Sequence, residues 1–129
     1  MRLHKVLRLV VVLLLASTAL DAHHSYADFE DRTVSVGGII DRIMFVNPHV
    51  ILTVRTKDST VYTMTWSAAT NLMNHGVGRE DLKVGDEVTV SGSPSRKSAE
   101  LSKITEIRRT RDGWSWSQTR LGAKVVAPL

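Results

Sequence analysis

From Thr33 onward apolar and polar residues alternate, and one slip in that alternation constrains the fold more than any other feature of the chain. Val34, Val36, Gly38 and Ile40 fall on one face of an extended strand. Past Asp41-Arg42 the apolar set continues at Ile43 and Phe45, one residue out of phase. Side chains along a strand repeat with a period of two, so a slip of one marks an extra residue, a β-bulge, which bends the strand and increases its twist. Asn47-Pro48 then ends the strand, because proline has no N–H for a ladder and both residues favour turns.

The alternation resumes at Val50, Leu52 and Val54, and Lys57-Asp58-Ser59 suits a hairpin turn into a third strand from Val61 to Trp66. Tyr62, Met64 and Trp66 share a face of that strand. Ser67 is placed to cap a short helix through Leu72 and Met73, with Gly76 as its C-terminal stop. After a turn at Val84-Gly85-Asp86, Val88 and Val90 point inward from a fourth strand. Leu101, Ile104 and Ile107 mark a fifth, followed by a turn at Asp112-Gly113. Three strands, a helix and two more strands are the order of a mainly β, OB-like five-stranded barrel, in which the curved first strand pairs with several neighbours and closes the edges. An open antiparallel sheet or a small sandwich is the alternative. Val36, Ile40, Phe45, Leu52, Val54, Val88 and Ile104 are expected to share one core. The boundaries expected are a lead-in over 23–32, the barrel domain over 33–116 and a loose tail over 117–129.

Ahead of this domain, Arg2, Lys5 and Arg8 precede an unbroken run of Leu and Val from Leu9 to Leu15, and small residues follow up to Ala22. Basic, apolar and small segments in that order predict a cleavable secretory signal peptide over 1–22. The apolar run is well short of the roughly 20 residues that span a bilayer, so no membrane span is expected after cleavage. Two cleavage points fit, after Ala19 and after Ala22; the second is preferred, leaves 107 residues and makes His23 the first. The segment holds three of the chain's 17 basic residues and one of its 13 acids, so the remainder carries 14 against 12, a net +2. That small charge, together with export, argues against a nucleic-acid partner. Arg108-Arg109-Thr110-Arg111 is the one basic cluster, read as a solvated strand end. The chain has no cysteine, so the exported domain stands without disulfides.

Ala22-His23-His24-Ser25, the V-x-V-x-G-x-I opening of the first strand, Asn47-Pro48-His49 and Leu82-Lys83-Val84-Gly85-Asp86-Glu87-Val88 resemble a family of small exported bacterial proteins of unknown function. The likeness runs from about Ala22 to Asp112. It implies a periplasmic location and a compact β domain, and it implies no activity. The chain departs from that pattern at Thr65 and Trp66, where an acid usually follows the aromatic residues of the third strand, and at Val77, where tryptophan is common.

The residues that carry chemistry are histidines. With cleavage after Ala22, the α-amine and the Nδ1 of His23 can chelate one metal ion, and His24 or His49 can supply a third nitrogen. Nitrogen-rich sites of this kind favour Cu(II) over other divalent first-row metals. If processing leaves Ala22 in place, Ala-His-His puts histidine third and offers an amine, two amides and a ring. Cleavage after Ala19 would remove both arrangements. The plainer alternative makes the pair a structural lead-in, with His49 hydrogen-bonded to its own turn. His75 is expected at the helix end as a surface residue. The sequence therefore points to an exported binding or accessory protein with a copper site at His23, His24 and His49. The rival reading is a metal-free interaction module for a periplasmic protein or a glycan, using the barrel face and Trp114 with Trp116, although core packing is the commoner fate of such tryptophans. The motifs of nucleophilic hydrolases, phosphate-binding loops and zinc proteases do not occur, and Ser25 beside His24 is too close to act as a nucleophile–base pair. A copper oxidase or oxygenase would require open coordination positions.

Overall fold

A computed structural model describes residues 27–128. The expected signal peptide, and His23 and His24 with it, lie outside the described residues. Seven strands and one helix follow in the order β1 (Val34–Met44), β2 (Ile51–Arg55), β3 (Val61–Thr65), α1 (Ala69–Asn74), β4 (Glu87–Pro94), β5 (Glu100–Arg109), β6 (Ser115–Thr119) and β7 (Gly122–Val126). The sheet order is β3-β2-β1-β4-β5-β6-β7, and a parallel β3–β5 pairing closes the first five strands into a mixed barrel. This is the expected five-stranded closure, with the helix between β3 and β4 and two strands added.

The predicted bulge is present. Ile40 pairs with Val54 and Arg42 with Thr53, which leaves Asp41 as the extra residue of β1. Below the bulge β1 pairs with β4, from Val34↔Gly92 to Ile39↔Glu87, so the bent strand bridges two neighbours. Val34, Val36, Gly38, Ile40 and Ile43 are its more enclosed apolar-face residues, as the phase slip requires, and Asp41 at the bulge is half-buried. A Cβ at Gly38 would overlap the Arg55 carbonyl, so only glycine lets the two strands come this close.

A second irregularity shapes the far side of the barrel. Ser91 pairs with Glu106 but Ser93 with Ser102, which gives β5 two residues more than β4 across the same stretch. Within that excess Lys103 adopts a left-handed backbone, φ 47°. Opposite it, a Cβ at Gly92 would come within 2.7 Å of the Ser102 carbonyl oxygen. The closure of β3 on β5 is short, Thr63↔Glu100 and Met64↔Leu101, and it ends just ahead of this bulge.

Ile40, Leu52, Val54, Val88, Phe45 and Ile104 are buried in one cluster with Met64, Trp66, Leu101, Ile107, Trp114 and Trp116, and Val36 packs against it. The expected core is therefore present, and it also includes the tryptophans. Three local expectations are corrected. The segment expected as a loose tail over 117–129 contributes most of the β6–β7 hairpin, paired from Ser115↔Val126 to Thr119↔Gly122. Trp116 anchors that hairpin in the core and supplies the apolar contact its polar sequence lacks. Helix α1 is capped from a distance and not by Ser67: Thr70 N–H donates to Asn47 Oδ1 (3.1 Å), while Ser67 Oγ accepts from Asn71 Nδ2. Asn47-Pro48, a cis peptide, is thus a turn that also holds the helix start. Gly76, at φ 82°, ends the helix as expected.

The basic cluster is the third correction. Arg108 and Arg111 are solvated, but Arg109 is buried. Its Nε and Nη2 donate to the two oxygens of Asp112, each at 2.9 Å, and Nη1 donates to the Asp81 carbonyl and, at 3.4 Å, to buried Asp86. The guanidinium also lies 5.6 Å from the ring centre of Trp114. Such fork-to-carboxylate pairing offsets much of the cost of taking these charges out of water.

Candidate ligand cleft at the barrel seam

Where β3 and β5 part, the barrel wall opens into a cleft of about 480 Å³. Thr65, Trp66 and Ser67 line it from the end of β3, and Glu100, Ser102, Lys103 and Ile104 from β5. Trp116 and Gln118 of β6 complete the floor, and His49 and Phe29 stand at its margins. The short β3–β5 pairing and the β5 bulge together account for the opening, because the strand carrying Lys103 turns away from β3 where pairing stops.

The chain enters this region from its N-terminal side. Phe29 bridges to Ser95, Glu30 N–H donates to the Pro94 carbonyl (2.9 Å) and Arg96 N–H to the Asp28 carbonyl (2.8 Å). An ion pair between Lys97 and Asp28 (2.6 Å) adds to this docking. Residues 28–30 of the lead-in are therefore tied to the β4–β5 loop, and Phe29 lines the cleft.

His49 is exposed and its ring makes no hydrogen bond among the described residues. The plainer expectation, that it braces its own turn, is not met; Asn47 does that work through Thr70. His75 is engaged elsewhere, with Nδ1 2.8 Å from the Asn71 carbonyl oxygen at the end of α1. Among the described residues no group of three His, Asp or Glu side chains could hold a metal. His49 is thus the one expected copper ligand within the described residues, and His23 and His24 lie outside them.

The tryptophans follow the commoner of their two expected fates. Trp114 and Trp116 are each 2% exposed and packed in the core, so neither offers a ring face for a partner to stack on, and the rival surface strip is not formed. Trp66, 4% exposed, meets Trp116 edge to face with ring centres 5.0 Å apart. The Nε1–H groups of both are buried and have no hydrogen-bond partner among the described residues. Sequence reasoning missed this pair. Its only signal was the departure from the family pattern at Thr65 and Trp66, both of which line the cleft.

Residues 11–106 match the model of the family of unknown function DUF6152. The chain belongs to that family. The DUF6152 match covers β1 to β4, the helix and most of β5, and with them His49, Trp66 and Lys103. It stops short of β6, so Trp116 and Gln118 come to the cleft from outside the matched span. No curated protein matches the chain. No helix among the described residues is long and apolar enough to cross a membrane.

Proposed function

We propose that this DUF6152 protein is an exported, periplasmic binding protein that captures Cu(II) at the mouth of the seam cleft. The ligands are the α-amine and ring of His23, with His24 and His49. The observation that carries the reading is the shared cleft of His49 and Phe29. Phe29 follows His23 by six residues, and extended chain covers at most about 3.3–3.6 Å per residue, a reach of roughly 20 Å. Histidines at a new N-terminus starting at His23 therefore come within range of a histidine ring that has no competing bond among the described residues. The donor set suits the metal: unhindered nitrogens favour Cu(II), and each must lose its proton to bind.

Calorimetric titration of copper into protein with a verified N-terminus tests this. Stoichiometric binding is expected, weakening as the pH falls below the imidazole pKa of about 6.5. One methionine left ahead of His23, or His23→Ala, should impair it. His49→Ala should weaken it, and His75→Ala should leave it unchanged. Equal affinity in the wild type, His23→Ala and the extended form would rule the site out, as would a mature chain that begins at Leu20.

A further inference from the structure

We infer that the open edge of β1 beside the β2–β3 turn is a docking site for an extended, acidic peptide segment, which adds one short strand along Ser35–Gly37. Residues of an antiparallel strand bond alternately to the neighbours on their two sides. Ile40 N–H donates to the Asp86 carbonyl (2.9 Å), and the Ile40 carbonyl accepts from Gly85 N–H (2.8 Å). Ile40 thus bonds on the β4 side, and by alternation so do Gly38, Val36 and Val34, each of which pairs with β4. Ser35, Gly37 and Ile39 therefore turn their N–H and C=O groups to the opposite edge. There Ile39 meets Arg55, the last residue of β2. From that point back to Val34, β1 has no strand beside it on this side. The backbone groups of Ser35 and Gly37 have no bond on that edge among the described residues.

The chemistry of the edge selects the occupant. Alternating donors and acceptors along a strand are matched by another peptide backbone, which is how strand addition gains affinity. A groove of about 870 Å³ lies along Ser35–Ile39, and three residues of added strand span roughly 10 Å. Half-buried Val36 and Tyr62 line it and offer apolar contact to a side chain of that strand. Lys57, exposed in the turn, lines it as well and makes no ion pair among the described residues, so it calls for an acidic residue in the peptide. The other charges do not oppose this: Arg55 is held by Asp41 (2.5 Å), and Glu87 pairs with Ile39 from the far side of β1. The other open edge of the sheet, β7, carries exposed Lys124 at its middle and Pro128 just past its end, the residues that keep edges from pairing. Ser35 and Gly37 carry no such guard. A second barrel would bring its own β2–β3 turn to a place where one already stands, so the occupant is a lone extended chain.

The test uses isotope-labelled full-length mature protein in chelator, so that copper plays no part. Without ligand, the Ser35 and Gly37 amides should exchange with solvent fast and the Val36 and Gly38 amides slowly. The probe is the acetylated, amidated peptide Thr-Val-Glu-Val-Thr. It should shift the Ser35 and Gly37 resonances saturably and slow their exchange, and the same peptide with every backbone nitrogen methylated should do neither. Gly37→Pro removes one edge donor and should weaken binding roughly tenfold. Lys57→Ala should weaken the probe severalfold but leave unchanged the binding of the peptide with Gln in place of Glu. Should Gly37→Pro fail to fold, the methylated peptide and Lys57→Ala decide. No response to the probe, or an equal response to the methylated peptide, would overturn the assignment. So would a dimer by sedimentation in which the Gly37 amide is already protected, since the edge would then belong to a second copy.

Discussion

Trp114, just ahead of β6, and Trp116 within it stand two residues apart, equally buried, in surroundings of opposite kinds. Trp114 lies beside the Arg109 guanidinium, where polar groups answer one another: the Trp114 backbone N–H donates to Asp112 Oδ1 (3.2 Å), and the Trp114 carbonyl accepts from the Arg109 backbone N–H (2.8 Å). Asp86, also buried, accepts from Lys83 N–H (2.9 Å) and pairs with Arg111 at 3.3 Å. Trp116 lies at the seam and lines the cleft, and its indole nitrogen and that of Trp66 are buried donors with no partner among the described residues. A closed polar network locks one arrangement in place, whereas a buried donor with no acceptor costs stability and is held by packing alone. The difference separates a part of the barrel whose polar groups are matched from a part held by apolar contact at the edge of the cleft.

The largest expected effect lies on the closed side. Arg109→Ala would leave Asp86 and Asp112 without their buried counter-charge, and breaking such a pair costs about 3–5 kcal/mol. Urea unfolding measures it. A loss below about 1 kcal/mol would mean that water replaces the guanidinium freely, and the contrast between the two tryptophan sites would collapse.

An intermediate effect appears with pH. The hydrogen bonds from Arg109, helped by the Trp114 N–H and Arg111 and opposed by burial, hold the Asp112 carboxyl down to about 2 from an ordinary 3.8. A carboxylate whose folded pKa is depressed stabilises the fold fully above its unfolded value, and that stabilisation fades as the pH falls from there through the folded value. The Asp112 contribution should therefore be intact at pH 5 and decline between about pH 4 and pH 2. Asp112→Asn should flatten that part of the stability–pH curve. An unchanged slope in the variant would assign the acid sensitivity to other carboxylates.

The smallest effect belongs to the seam. Trp116→Phe removes some packing but also an unpaired donor, and the two changes oppose each other, so a net cost of about 1 kcal/mol or less is expected in the unliganded protein. A cost as large as that of Arg109→Ala would show that packing, and not the matching of polar groups, decides stability on both sides of the barrel, and the contrast would collapse.

The strand periodicity, the slip at Asp41, the helix between β3 and β4, the Gly76 stop and most of the core were legible in the sequence. Each is recorded by residues close together along the chain, through the two-residue repeat of a strand or the backbone preference of a glycine. The candidate site was legible only in part. Asn47-Pro48-His49 stood out as a word, but nothing local shows that His49 shares a cleft with Phe29, Trp66 and Trp116. Tertiary structure decided the rest. Residues 117–129 read as a tail because Ser115–Thr119 is polar and Gly122–Val126 has no turn or cap to announce it; β7 exists because β6 offers it a ladder and Trp116 pins β6 to the core. Arg109 read as solvated because charge is local, while its burial depends on Asp86 and Asp81, more than twenty residues away. The helix took its cap from Asn47 for the same reason. Local periodicity determines which segments extend and which face turns inward. Which groups meet across the barrel depends on how bent strands diverge, and that is set only when distant residues pack together.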